Sequence, residues 1–336
     1  MIDARVLVVG GGAIGGVVAA KMTGRVTGVT VLDADVRHAA LMRDPGLRVD
    51  DLGEERCVSL EAHSDPGELE GPFDLALMTV KAAFLGDALR PLHDRGLAAS
   101  YVSLGNGLVQ DLIASIVGLD GLLVGTVEWG ATNLGPGRVA QTTRAPFVLG
   151  ELDGKVRERT RLAAAALEAA AEVRITANIQ GQVWSKLLVN SAWSGLGAVS
   201  GLLYREVAAH PAGREAALGL WREGVRVAEA QRLELEGVLG IHPRDLVEGT
   251  RAEVDEALDV YIGHAGAVKA SMLQDLERGV PCEVDFINGG VARRGEGVGI
   301  PTPLNRRVVD IVHAIERGER RPSPEALQDV LEGRTA

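Results

Sequence analysis

Cysteine is almost missing from this chain. Cys57 and Cys282 are the two present in 336 residues, too few for a disulfide framework and at no zinc-ligand spacing. That usage predicts a reducing, intracellular setting, here the cytoplasm. Histidine is sparse: seven residues, scattered, with no H-x-x-x-H pair. No metal site is expected. Long apolar runs are also missing. None approaches the roughly 18 residues that a spanning helix requires. No basic segment leads into an apolar stretch and cleavage site at the start of the sequence, so no signal peptide is expected. Positive charge is in deficit, with 35 Lys+Arg against 46 Asp+Glu and a net charge of −11. A nucleic-acid backbone demands a basic surface, which argues against that class of partner. A small anionic ligand needs only a local positive site.

What is present is ordinary globular chemistry, 46% hydrophobic and 24% charged. The length exceeds one comfortable core, so two domains are expected. The chain opens with "RVLVVGGGAIGGVVAA" (residues 5–20), a strand-like run that enters a glycine cluster. Gly10, Gly12 and Gly15 fit G-x-G-x-x-G, with Gly11, Ala13 and Ile14 between them. The helix that follows, Ala13 to Met22, starts weakly by propensity. The motif supplies the reason. Gly10 permits a tight turn, Gly12 lets a pyrophosphate approach the backbone, and Gly15 allows close helix–strand packing. "GVTVLD" (Gly28–Asp33) reads as a second strand ending in an acid, near the spacing of a ribose contact. Asp33 has a plainer reading, in which it and Asp35 cap the helix near Val36 to Met42. A flavin loop is similar, so the motif alone does not select a nicotinamide.

Further strand–helix units follow: "FDLALMTVK" (Phe73–Lys81), "AAFLGDALRPL", and "ASYVSLGNG" (Ala99–Gly107). Alternation of this kind predicts a parallel, doubly wound sheet. From Leu122 to Gly150, short strands separated by Gly-Pro punctuation read as antiparallel edge additions. Arg159 to Val173 is helical by composition. After Thr176 the alternation stops, and helices are expected over about 179–199, 206–236, 243–278, 282–294 and 303–317. The division is therefore 1–177 for the sheet domain and 178–320 for an all-helical domain. Residues 321–336 read as a polar, frayed tail.

In "NIQGQVWSKLLVNSAWSGLGAVSG" (Asn178–Gly201), Lys186, Asn190 and Ser194 recur at intervals of four and share a helical face. Lys186 is either a surface lysine whose stem covers apolar area or a partly desolvated proton donor. A second polar group lies in "ASMLQDLERGVPCEVDFING" (Ala270–Gly289). There Gly279 and Pro281 break a helix and place Glu283 in the first turn of the next. Glu283 could simply suit a helix dipole, and Ser271 could be an ordinary exposed residue.

"GGGAIGG", "TVKA", "LGNG", "WSKLLVN", "SMLQDLERG" and "EVDFINGG" occur together and in order. With them the chain resembles the ketopantoate reductases (2-dehydropantoate 2-reductases) nearly end to end. The resemblance implies a Rossmann-type domain followed by a helical domain, with a cleft between them. It implies NAD(P)H-dependent reduction of a 2-oxo acid, foremost 2-dehydropantoate to pantoate in pantothenate biosynthesis. The same mechanism on a different 2-oxo acid, or its reverse, stays open; a dinucleotide sensor without catalysis is a third reading. By the resemblance, Lys186 matches the catalytic lysine, Asn190 a substrate asparagine, and Ser271 the serine that holds the substrate carboxylate. Glu283 matches a glutamate at the nicotinamide-ribose and substrate end. Lys81, Asn106 and Ala131 match cofactor contacts, Asn106 also lying near the substrate. Ser194 and Tyr204 stand at substrate positions where the family often carries asparagine or another polar contact. Ser194, being shorter, is expected to line the cleft and leave room for another tail. The family commonly has a basic residue for the 2′-phosphate of NADP where this chain has Asp33, which leans toward NAD. An Ala-rich helical domain is compatible with a homodimer.

Overall fold

Val6, Leu7, Val8 and Val9 are all buried, as a central strand covered on both faces must be. They close β1 (Ile2–Val9) in the computed structural model, which describes residues 1–238 and 240–333. The first unit then runs α1 (Ala13–Met22), β2 (Val26–Leu32), α2 (Val36–Leu41), β3 (Leu47–Asp51), β4 (Glu54–Val58), β5 (Glu61–His63) and β6 (Phe73–Met78). It continues with α3 (Leu85–Asp94), β7 (Ala98–Ser103), α4 (Val109–Val117), β8 (Leu122–Val127), β9 (Ala131–Gly135), β10 (Arg138–Gln141), β11 (Phe147–Gly150), α5 (Glu158–Leu167) and β12 (Val173–Ile175).

Eight strands form the main sheet in the order β12-β11-β8-β7-β6-β1-β2-β5. The pairings from β5 to β8 are parallel, and β11 runs antiparallel to β8. The chain winds outward from β1 through β2 to β5, then returns to lay β6 on the other side of β1. This is the strand-order reversal at which doubly wound sheets hold their ligands, beyond the carboxyl ends of the strands. Those ends are Val9–Gly10 and Met78–Thr79. The expected Rossmann-type α/β architecture is borne out.

A second sheet, β4-β3-β10-β9, packs on the other side of α1. That arrangement explains the composition of α1. "AIGGVVAAKM" is apolar on nearly every face because a sheet covers each side, and Gly15 to Ala20 and Met22 are buried. The sequence carries no strand signal over β4, because Glu54 to Cys57 all face solvent and the period-2 alternation is lost. The expectation of antiparallel additions from Leu122 to Gly150 suits β9–β10 and β11. It fails for β8, which joins β7 in parallel; all six of its residues are buried, the pattern of an interior strand.

The chain divides into two compact units at Ile179/Gln180, with Asn106–Leu108 grouped with the second. That unit consists of α6 (Ile179–Val189), a widened π turn (Asn190–Ser194), α7 (Gly195–Ser200), α8 (Tyr204–Ala209), α9 (Pro211–Ala230), α10 (Arg251–Ala265), α11 (Ser271–Glu277), α12 (Asn288–Gly297), α13 (Pro303–Glu316) and α14 (Ala326–Glu332). The expected 206–236 helix breaks at His210, where Pro211 opens α9. The expected 243–278 helix is three pieces, with Thr250 and Glu253 forming a capping box that starts α10. The helix expected from 282 begins only at Asn288, so Glu283 lies in the turn before it rather than in its first turn.

The polar-tail reading is overturned for the described part of 321–336. Ala326, Leu327 and Val330 are fully buried on α14, which packs against α9, α7 and α13. Arg307 donates to the carbonyls of Val330 and Leu331 at the end of that helix. Three apolar residues at i, i+1 and i+4 suffice to dock it, although the segment is polar on average. Residues 334–336 lie outside the described residues.

Candidate active site

The glycine loop separates its three roles by geometry. Gly10 has φ +96°, and a Cβ there would stand 2.8 Å from Val80 backbone, so only glycine makes this turn without strain. At Gly15 a Cβ would come within 1.9 Å of the Gly10 carbonyl oxygen and 2.4 Å of Thr79 Oγ1. At Gly12 a Cβ would meet nothing within 4 Å. Gly12 is also the N-cap of α1, and no side chain caps the helix. Among the described residues, the backbone N–H groups of its first turn therefore have no protein acceptor, and they lie beside open space. That is the chemistry of a pyrophosphate site.

Three side chains hold this loop. Asp33 Oδ2 accepts from Gly11 N at 2.7 Å, and Asp33 Oδ1 accepts from Asp35 N at 2.9 Å. The helix-capping reading of Asp33 does not apply, because Asp35 caps α2 by accepting from His38 N. His38 is buried, and its ring bridges two segments. Nδ1 accepts from Gly137 N at 2.8 Å, so the hydrogen lies on Nε2, which donates to Gly11 O at 2.8 Å. Thr79 Oγ1 contacts the carbonyl oxygens of Val9 and Gly10. Sequence reasoning did not single out His38 or Thr79. Their partners are backbone groups, and no side-chain motif marks them. Lys81, half-buried, follows β6, and Ala131 begins β9 opposite Gln141.

In the second unit, Lys186 lies in the last turn of α6. It is half-buried between the buried Ser185 and Leu187, with Leu188 and Val189 buried beyond. Asn190, also half-buried, stands one turn on, where the helix widens. Asn288 Nδ2 donates to the Ser191 carbonyl within this widened turn. Such π turns recur where a helix must present a functional side chain.

Asn106 meets Glu283 here, with Nδ2 donating to Oε2 at 3.3 Å. Leu108 N donates to Phe286 O at 2.9 Å, and Gly107, at φ +74°, has no room for a Cβ against that carbonyl. The Glu283 carbonyl accepts from both Phe286 N and Ile287 N. The carboxylate is thus carried on a tight turn and is almost fully buried.

Ser194 is placed differently from expectation. Its exposure is 0%, so it offers no surface of its own. Its Oγ lies 3.3 Å from Ser271 Oγ, accepts from Met272 N at 3.5 Å, and hydrogen-bonds the Tyr204 hydroxyl. Tyr204 is buried too, and burial pushes its phenol well above the usual tyrosine range. Ser271 alone of the three is half-buried. Among the described residues, no cluster of three or more His, Cys, Asp or Glu could hold a metal, and no helix is long and apolar enough to cross a membrane.

The family model "Ketopantoate reductase PanE/ApbA" matches residues 6–154, and its C-terminal counterpart matches 178–316. The chain belongs to the ketopantoate reductase family. It is an oxidoreductase acting on CH–OH groups. A 2-dehydropantoate 2-reductase of Halobacterium salinarum is 29% identical over 316 residues, covering 93% of this chain and 99% of that protein. One from Archaeoglobus fulgidus is 28% identical over 315 residues, covering 94% and 98%. A PanE/ApbA family ketopantoate reductase structure from Ralstonia eutropha aligns with a TM-score of 0.79 at 26% identity, covering 94% of this chain and 99% of that one. A D-mandelate dehydrogenase solved with NADH and anilino(oxo)acetate also aligns with a TM-score of 0.79, at 22% identity and the same coverage, a likeness of fold. The glycine loop lies in the first unit, and Lys186, Asn190, Ser271, Glu283 and Asn106 lie in the second.

Proposed function

We propose that this family member reduces a 2-oxo acid to the 2-hydroxy acid with a nicotinamide dinucleotide, and that its substrate is 2-dehydropantoate. Lys186 carries the reading: an ammonium set among buried side chains, one turn from an amide. When bound, a reduced nicotinamide supplies the hydride. As the substrate carbon accepts it, the carbonyl π pair moves to oxygen. Lys186 stabilises that charge and gives its proton to the oxygen, leaving a hydroxyl. General acid catalysis of this kind is worth roughly 10²–10⁴-fold, and a preorganised cation out of bulk water adds to it. Asn190 and Ser271 orient the substrate, Ser271 by donating to its carboxylate, which sets the attack geometry. Asn106 and Glu283 fix each other and offer an acceptor at the hydroxyl-rich end of the dinucleotide. Gly10 to Gly15 hold the pyrophosphate, with Lys81 and Ala131 as further cofactor contacts.

On the first unit, the Asp33 carboxylate on Gly11 N favours ribose hydroxyls over a 2′-phosphate, which supports NADH as a competent cofactor. A second reading keeps the mechanism and changes the acid. Ser194 stands where the family often carries an asparagine and is spent inside the unit on Ser271, so no amide reaches the substrate from that position, which supports a 2-oxo acid other than 2-dehydropantoate. Turnover with 2-dehydropantoate, 2-oxoisovalerate and benzoylformate separates the two readings. Lys186→Ala tests both: kcat should fall at least about 10²-fold with cofactor affinity nearly unchanged. Wild-type turnover by that variant would remove Lys186 from the mechanism.

A further inference from the structure

The hydroxyls of Tyr204, Ser194 and Ser271 form a file that runs from the buried interior of the second unit to a half-buried end. Ser194 accepts from Met272 N and has one hydrogen to give. It touches both Tyr204 and Ser271. Tyr204 is held protonated by burial and is the natural donor at the inner end. The Tyr204 ring is fixed by Trp193, with centroids 6.2 Å apart, and Trp193 stacks on Tyr261 at 5.3 Å and 19°. With Tyr204 donating to Ser194, the Ser194 hydrogen is left for Ser271 Oγ, and the Ser271 hydrogen points outward. A file polarised this way ends in a donor, and each bond strengthens the next in a low-dielectric interior.

We propose that Ser194 and Tyr204 are positioning residues that act through Ser271: they set the direction of its O–H toward the substrate carboxylate and do not contact the substrate themselves. This rests on the reading above that Ser271 anchors that carboxylate. The π turn supports it, because it places Ser194 beneath α11 at the level of Ser271 while Asn190 stays half-exposed.

The test is a double-mutant cycle in steady-state kinetics, with whichever of 2-dehydropantoate, 2-oxoisovalerate and benzoylformate the unmodified enzyme turns over best. Ser271→Ala, Ser194→Ala and Tyr204→Phe are each expected to raise KM for the 2-oxo acid, by up to about tenfold for one hydrogen bond. For Ser194→Ala and Tyr204→Phe kcat should stay within about twofold, and in none of the three should KM for the dinucleotide move. In the Ser271→Ala background, Ser194→Ala should raise KM no further, since the group it acts through is gone. A merely structural Ser194 would lower the thermal midpoint and either leave KM for the 2-oxo acid unchanged or raise it equally in both backgrounds, and either result overturns the proposal. If Ser271→Ala raises KM while Ser194→Ala and Tyr204→Phe do not, the relay fails and the anchor stands. If Ser271→Ala leaves KM unchanged, both fail. Tyr204→Phe keeps the ring and its contact with Trp193, so it decides the matter even if Ser194→Ala folds poorly.

Discussion

Two glycines three residues apart should respond in opposite ways to the same methyl group. Gly12→Ala places a Cβ where nothing lies within 4 Å, at a residue whose φ is −65°. The folded chain can accommodate it. Alanine is a poorer N-cap than glycine by roughly 0.5–1 kcal/mol, and restricting the unfolded chain returns about 0.4–1 kcal/mol. The two terms nearly cancel, so the thermal midpoint should stay within about 4 °C. On the proposed function, however, the methyl occupies the approach of the pyrophosphate. Losing one charge-assisted hydrogen bond there costs about 1.5–3 kcal/mol, so KM for NADH and NADPH should rise at least about tenfold. Gly15→Ala is the converse. Its Cβ would sit 1.9 Å from the Gly10 carbonyl oxygen, a backbone atom that cannot swing away. Overpacking of this severity costs about 3 kcal/mol or more, which lowers the midpoint by roughly 6–12 °C. Differential scanning calorimetry and steady-state kinetics on both variants separate the two effects. Wild-type KM for both dinucleotides in Gly12→Ala would refute the pyrophosphate assignment. An unchanged midpoint in Gly15→Ala would refute the close-packing argument.

Asp33 predicts that kcat/KM for NADH is at least equal to that for NADPH; a strong NADPH preference would mean that Arg37, exposed on α2, overrides the carboxylate. His38→Leu should strip Gly11 O and Gly137 N of their partner, at about 1–3 kcal/mol for each buried group left unpaired. KM for the dinucleotide should rise and KM for the 2-oxo acid should hold, and the reverse pattern would dissociate His38 from the loop. Leu327→Ala on α14, at 0% exposure, should cost about 2–5 kcal/mol, read as a lowered midpoint in urea; a surface-like loss under 0.5 kcal/mol would restore the frayed-tail reading.

The first βαβ unit was legible because each of its sequence features has one physical cause. A run of four apolar residues needs two covered faces, and glycines at fixed offsets answer distinct steric demands. The second sheet was not legible. Its strand β4 is exposed along Glu54 to Cys57, so no burial alternation is written into it. His38 escaped for another reason. It joins Gly11 to Gly137 across 27 and 99 residues, and its partners are peptide groups that any sequence would supply. A buried histidine with two backbone partners leaves no side-chain signature in one sequence.

The second unit shows what helical spacing can and cannot predict. Lys186, Asn190 and Ser194 recur every four residues, a spacing that sets side chains on one face of a regular α-helix. It says nothing of depth, nor of a change in helical pitch between them. The π turn over Asn190–Ser194 changes the pitch where the polar residues lie. Lys186 and Asn190 keep partial access while Ser194 has none. A serine that has lost contact with solvent cannot widen a cleft by being short. Its size instead permits Ser271 and Tyr204 to meet on one oxygen, which an asparagine amide, larger and with its donors and acceptor on different atoms, could not reproduce in the same volume. Ser194→Asn should therefore overpack the site by about 1–3 kcal/mol and weaken 2-oxo acid binding, rather than open a path to 2-dehydropantoate. Improved kcat/KM for 2-dehydropantoate in that variant would show that residue 194 faces the substrate after all.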